Sequence, residues 1–69
     1  MATIYKRVGE NIRRLRRKSG LTQEELAELV GMNPKSIIEI EAGKRNPTLK
    51  TLKKIALALK VELSTLLQS

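Results

Sequence analysis

Residues 22–43 read TQEELAELVGMNPKSIIEIEAG, and they hold two start signals and two stop signals for helices. Thr22 stands three residues ahead of Glu25, the spacing of a capping box in which each side chain satisfies a backbone N–H of the first turn. Leu26, Ala27, Leu29 and Val30 follow as the apolar side of that helix. Gly31 ends it, because glycine enters the left-handed conformation that a helix terminus uses. Asn33 and Pro34 restart the chain as N-cap and first helical residue, where proline's missing N–H costs nothing. The next helix is expected from Pro34 to Ala42, with Ile37, Ile40 and Glu41 on one face and Gly43 closing it. Two short helices therefore meet across a three-residue turn.

Upstream, Val8, Ile12 and Leu15 recur at helical spacing, with Arg13, Arg14, Arg16, Arg17 and Lys18 on the other faces. This first helix is expected to end at Gly20, its basic last turn complementing the helix dipole. Downstream, Lys44-Arg45-Asn46-Pro47 is a polar loop, and Thr48 caps a fourth helix. Leu49, Leu52, Ile55, Ala56 and Leu59 form its inner stripe, while Lys50, Lys53, Lys54 and Lys60 face outward. A last turn carries Leu63, Leu66 and Leu67. The expected fold is all-α, a compact five-helix domain over residues 1–69 with no repeats and no low-complexity linker.

Composition limits the function. Fourteen Lys and Arg oppose seven Asp and Glu, a net charge of +7 and a pI near 10.3, which suits a polyanionic partner. Tyr5 is the one aromatic residue, so the stacking platforms of single-strand and RNA binders are missing and duplex DNA moves ahead. No His and no Cys are present, which removes disulfides, imidazole and thiolate metal ligands, and histidine-based catalysis. The acids are dispersed on helices whose periodicity already explains them. We therefore expect no enzyme activity, no metal, no cofactor and no small-molecule ligand. No apolar run approaches the roughly 20 residues that span a bilayer. A cytoplasmic, nucleoid-associated location is expected.

The stretch 22–43 is thus a helix-turn-helix in a basic chain. Ala27, Gly31, Ile37 and Ile40 lie four, eight, fourteen and seventeen residues after Gln23, where that motif needs a small residue at the helix crossing, a positive φ in the turn, and two apolar residues packing the second helix on the first. With Gly20-Leu21-Thr22-Gln23, Glu41-Ala42-Gly43-Lys44-Arg45-Asn46-Pro47 and Ile55-Ala56-Leu57-Ala58-Leu59, the chain resembles the Cro and phage-repressor type family, also called XRE, over roughly residues 8–67. The resemblance implies a lambda-repressor-like DNA-binding domain and a sequence-specific transcriptional regulator. Such a regulator acts, typically as a repressor, as a homodimer on a palindromic operator, with dimer contacts over about Lys60 to Leu67.

Site residues follow from the same resemblance. Bases are met by Asn33, Pro34, Lys35, Ser36 and Glu39, and phosphates by Gln23, Lys44, Arg45 and Asn46. Lys35 can donate to O6 and N7 of guanine or simply attract phosphates. Asn33 and Ser36 also have local roles as cap and first-turn residues. Pro34 can offer apolar contact to a thymine methyl. Glu39 departs from the polar or basic residue frequent at its position: it either accepts from cytosine N4 or holds Lys35 one turn back. Glu41, on an inner face, needs a partner, and the family pairs it with an arginine of the first helix, here Arg16.

Lys60 stands where a glycine often ends the fourth helix, so the helix stop is expected to be weaker or strained there. Ile38 and Leu57 replace polar residues and suggest a contact with another subunit, another domain or nothing. A restriction-modification controller, an antitoxin-type regulator and a helix-turn-helix module recruited for protein contact fit the same features. A basic segment from Ile12 to Lys18 lying on a membrane is a further rival, and it requires Val8, Ile12 and Leu15 to be exposed.

Overall fold

The computed structural model describes residues 3–68; Met1, Ala2 and Ser69, the ends of the expected 1–69 unit, lie outside the described residues. Five helices follow one another: α1 Ile4–Lys18, α2 Gln23–Val30, α3 Pro34–Glu41, α4 Leu49–Leu59 and α5 Leu63–Leu66. There is no strand among the described residues. Four of the five starts, those of α1 to α4, have a side-chain cap, and α5 begins after Glu62 without one. Thr3, Thr22, Asn33 and Thr48 accept hydrogen bonds from first-turn N–H groups, and the Thr22–Glu25 capping box is closed in both directions. α3 stops at Glu41, one residue earlier than expected, with Ala42 as its C-cap. α1 stops at Lys18 with Ser19 as C-cap, short of Gly20.

α1 packs against α3, α4 and α5, while α2 packs against α3 and α4. Ile12, Leu26, Ile37, Ile40, Ile55 and Leu66 are the large side chains sealed between them. Val8 and Ile12 belong to this core and Leu15 is half-buried against it, which removes the membrane-surface reading of Ile12 to Lys18.

Two leucines expected inside, Leu29 and Leu49, are outside. Leu29 is 60% exposed because the Leu26–Ala27–Val30 stripe leaves it about 100° around the helix from the stripe's centre. Leu49 is 58% exposed, and burial fades toward the start of α4, from Ile55 through Leu52 to Leu49. Leu67 follows Leu66 directly, and adjacent helical residues point about 100° apart, so one is sealed and the other is not. Ile38 and Leu57 are exposed, Leu57 at 80%. Leu29 and Leu57 border one shallow surface together with Glu28, Lys54 and Lys60.

Lys60 caps α4 at φ 59° and ψ 41°, the left-handed region, while the N–H groups of Lys60 and Val61 reach back to Leu57 and Ala56. Gly31 ends α2 with φ 69° and the same hydrogen-bond pattern. A Cβ in this conformation crowds the following carbonyl, at about 1–2 kcal/mol. Part of the relief in a glycine variant is lost to the greater freedom of the unfolded chain. Lys60→Gly is therefore expected to raise stability by about 0.5–1 kcal/mol, read from the urea midpoint at unchanged slope. An unchanged midpoint would show that no strain resides there.

Candidate nucleic-acid interface

The helix pair α2–α3 rests on a buried polar joint. Arg16 of α1 donates from Nε to Glu41 Oε2 at 2.6 Å and from Nη2 to Oε1 at 3.2 Å, a two-pronged pair. Its third nitrogen, Nη1, donates to the Leu21 carbonyl at 2.7 Å, so one guanidinium joins α1, the α1–α2 loop and the end of α3. The carboxylate of Glu41 is almost wholly sealed, its side chain 2% exposed. Charge-assisted bonds on both oxygens are what make such burial tolerable.

Gln23 takes part in this joint. Its Nε2 donates to Glu41 Oε1 at 3.0 Å. The half-buried Gln23 side chain keeps a second amide proton and its carbonyl oxygen, so an anion at the start of α2 remains within its chemistry.

Gly9 lets α1 and α3 close together. A Cβ there would overlap the Ile40 carbonyl oxygen and sit 2.8 Å from that of Glu41, so only glycine fits. Sequence reasoning passed over this position, since a glycine inside a helical pattern reads as a propensity defect. It also passed over Asn11, which is buried and donates from Nδ2 to the carbonyls of Leu66 at 3.0 Å and Gln68 at 2.7 Å. Asn11 thereby fastens the end of the chain to α1. The legible signal was a polar residue between Val8 and Ile12 on the inner face.

On this support the first turn of α3 faces solvent. Asn33, Pro34 and Lys35 are exposed, and Asn33 Oδ1 accepts from the Lys35 backbone N–H at 2.9 Å. The Lys35 ammonium has no partner among the described residues. Ser36 and Glu39 are half-buried on the same helix, and Lys44, Arg45 and Asn46 are exposed in the loop behind it. Glu39 does not pair with Lys35. Its Oε1 lies 3.4 Å from Arg45 Nη1, which also donates to Ser36 Oγ at 2.8 Å. The 44–46 loop is thus tied to α3. Gln23, on α2, faces the Glu41 joint instead.

Among the described residues no group of three or more His, Cys, Asp or Glu could hold a metal, and no helix is long and apolar enough to cross a membrane.

Fold and site define a basic helix-turn-helix domain of the transcription-regulator class. The chain belongs to the helix-turn-helix family HTH_3, whose model matches residues 12–66. It is 48% identical over 58 residues to the uncharacterized HTH-type transcriptional regulator y4dJ of Sinorhizobium fredii, covering 84% of this chain and 75% of that protein. The crystal structure of the restriction-modification controller protein C.AhdI from Aeromonas hydrophila superposes with a TM-score of 0.88 at 37% identity, covering 90% of this chain and 94% of that one. SinR, a master regulator for biofilm formation solved in complex with DNA, superposes at 0.84 with 32% identity, covering 88% and 98% of the two chains. The chain is accordingly a transcriptional regulator of the helix-turn-helix type, and its relatives are regulators rather than enzymes.

Proposed function

We propose that this regulator binds duplex operator DNA sequence-specifically as a homodimer in the cytoplasm and represses by covering promoter DNA. The observation that carries the reading is the first turn of α3, whose Asn33, Pro34 and Lys35 are exposed while Ile37, Ile40 and Glu41 on its other side are sealed. A helix held this way can enter the major groove with its N-terminal residues against base edges. Lys35 donates to guanine, and Asn33, Pro34, Ser36 and Glu39 line the same contact. Gln23, Lys44 and Asn46 hold phosphates on either side, and the free N–H groups at the start of α2 favour the same anions.

One subunit reads one half-site. Two subunits related by a two-fold axis read half-sites about 10 base pairs apart or a multiple of that. The dimer contact is placed over about Lys60 to Leu67, where Leu67 is exposed and Val61 and Leu63 are half-buried. Regulation then follows protein concentration and operator geometry.

Selection from a random duplex library followed by titration in rising salt tests this. If about six phosphates are neutralised, log K falls with log salt at a slope near −5, and the selected sites are palindromic. A salt-independent interaction, or selection that enriches no sequence, would rule out operator binding.

A further inference from the structure

The Arg45 side chain is tied to α3 through one of its nitrogens. It folds back over α3, where Nη1 meets both Ser36 Oγ at 2.8 Å and Glu39 Oε1 at 3.4 Å. Both protons of Nη1 are thereby directed into the protein. Nε and Nη2 have no partner among the described residues, and they form the straight edge of the guanidinium with two parallel N–H donors. That edge matches the adjacent N7 and O6 acceptors of guanine in the major groove. Ser36 and Glu39 lie in the first two turns of α3, so the arginine is carried by the element that faces the bases.

Electrostatics points the same way. A lone carboxylate at Glu39 would repel the phosphates of a bound duplex. Paired with Arg45 it forms a locally neutral unit, which is poor at neutralising phosphate and well suited to presenting a directed fork. A long side chain held before binding also has less rotamer freedom left to lose on docking.

We propose that Arg45 reads a guanine in the major groove and that Glu39 and Ser36 are positioning residues that aim it by holding Nη1. The proposal rests on the reading of α3 as the helix that faces duplex DNA. It moves Arg45 from the phosphate contacts expected from the sequence to the specificity-determining residues. It also removes Glu39 from direct contact with cytosine.

Library selection with the parent protein, Arg45→Lys, Glu39→Ala and Glu39→Gln separates these roles. All three residue changes fall on exposed or half-buried side chains outside the core. Arg45→Lys keeps the charge but loses the fork, so preference for guanine at one base pair of each half-site is expected to fall about tenfold or more with the other positions unaltered. Replacing that guanine by 7-deazaguanine, which lacks the N7 acceptor, should weaken the parent and leave Arg45→Lys nearly unaffected. Glu39→Ala should relax the same base pair while binding unrelated duplex more tightly, because a negative charge has gone. Glu39→Gln, whose amide oxygen still accepts from Nη1, should retain most of the preference. The proposal is overturned if Arg45→Lys keeps the parental base profile, or if Glu39→Ala alters a different base pair from Arg45→Lys. A parent that selects no sequence refutes the operator reading itself, and with it the role of Arg45.

Discussion

Arg16→Ala is expected to lower the stability of the protein by about 3–5 kcal/mol. Truncation strands Glu41, whose side chain is 2% exposed, with the Gln23 amide as its one remaining side-chain donor. Removing one partner of a buried ion pair costs about 3–5 kcal/mol, because the other charge stays buried without compensation. A chain of this length has about 3–10 kcal/mol of stability in all. The loss is therefore a large fraction of the whole. It also opens the Leu21 carbonyl, which Arg16 Nη1 satisfies at 2.7 Å. Circular dichroism at increasing urea reads the result directly. The double variant Arg16→Met, Glu41→Leu should recover most of the loss, since apolar side chains of similar volume often replace such a pair at little net cost. An Arg16→Ala protein that melts like the parent would mean that Glu41 is hydrated in solution.

Gly9→Ala is the second large effect. Helix propensity favours the change by about 0.5–1 kcal/mol, and the backbone of α3 opposes it. The new Cβ would overlap the Ile40 carbonyl oxygen and come within 2.8 Å of the Glu41 oxygen and 3.0 Å of its carbonyl carbon. None of these atoms is the end of a flexible side chain, so relief requires α1 to move away from α3. Overpacking of this kind costs about 1–3 kcal/mol and at times more, and against rigid backbone we place it at the upper end. Steric cost exceeds propensity gain. The expected net loss is about 2 kcal/mol in chemical unfolding, together with weaker binding to the operator proposed above, because α3 is the element displaced. Gly20→Asn serves as comparison: its φ is also positive, at 76°, but a Cβ there meets nothing within 4 Å. Asparagine tolerates that conformation, so the change should cost well under half as much. Equal losses from both variants would show that close packing at Gly9 is not what matters.

Much of the fold was legible because its signals are local. A capping box, a proline at N1 and a glycine beyond the last turn act over three or four residues, and all three are visible between Thr22 and Gly43. Helix ends were displaced by only one or two residues, at Ala42 and at Ser19. Burial was harder to read. Leu29, Leu49 and Leu67 are apolar at helical spacing, yet which apolar residues are sealed depends on how far each neighbouring helix reaches. Asn11 and Gly9 were missed for a related reason. Their partners are the carbonyls of Leu66 and Gln68 in one case and of Ile40 and Glu41 in the other, far along the chain.

The sequence by itself determined five helices, the N-caps Thr22, Asn33 and Thr48, an Arg16–Glu41 pair suggested by family resemblance, and a basic surface with a solvent-facing turn at Asn33 to Lys35. These follow from short-range sterics, hydrogen bonding to neighbouring backbone and net charge, which need no knowledge of the final packing. Tertiary structure alone decided that Glu39 faces Arg45 rather than Lys35, at 3.4 Å, and that Arg45 is tied to Ser36. Spacing along α3 puts Lys35 and Glu39 one turn apart, but the loop after Gly43 returns against the helix and brings Arg45 within reach. A guanidinium can bridge a hydroxyl and a carboxylate through one nitrogen, and a contact set by the return of a loop has no periodicity by which to read it.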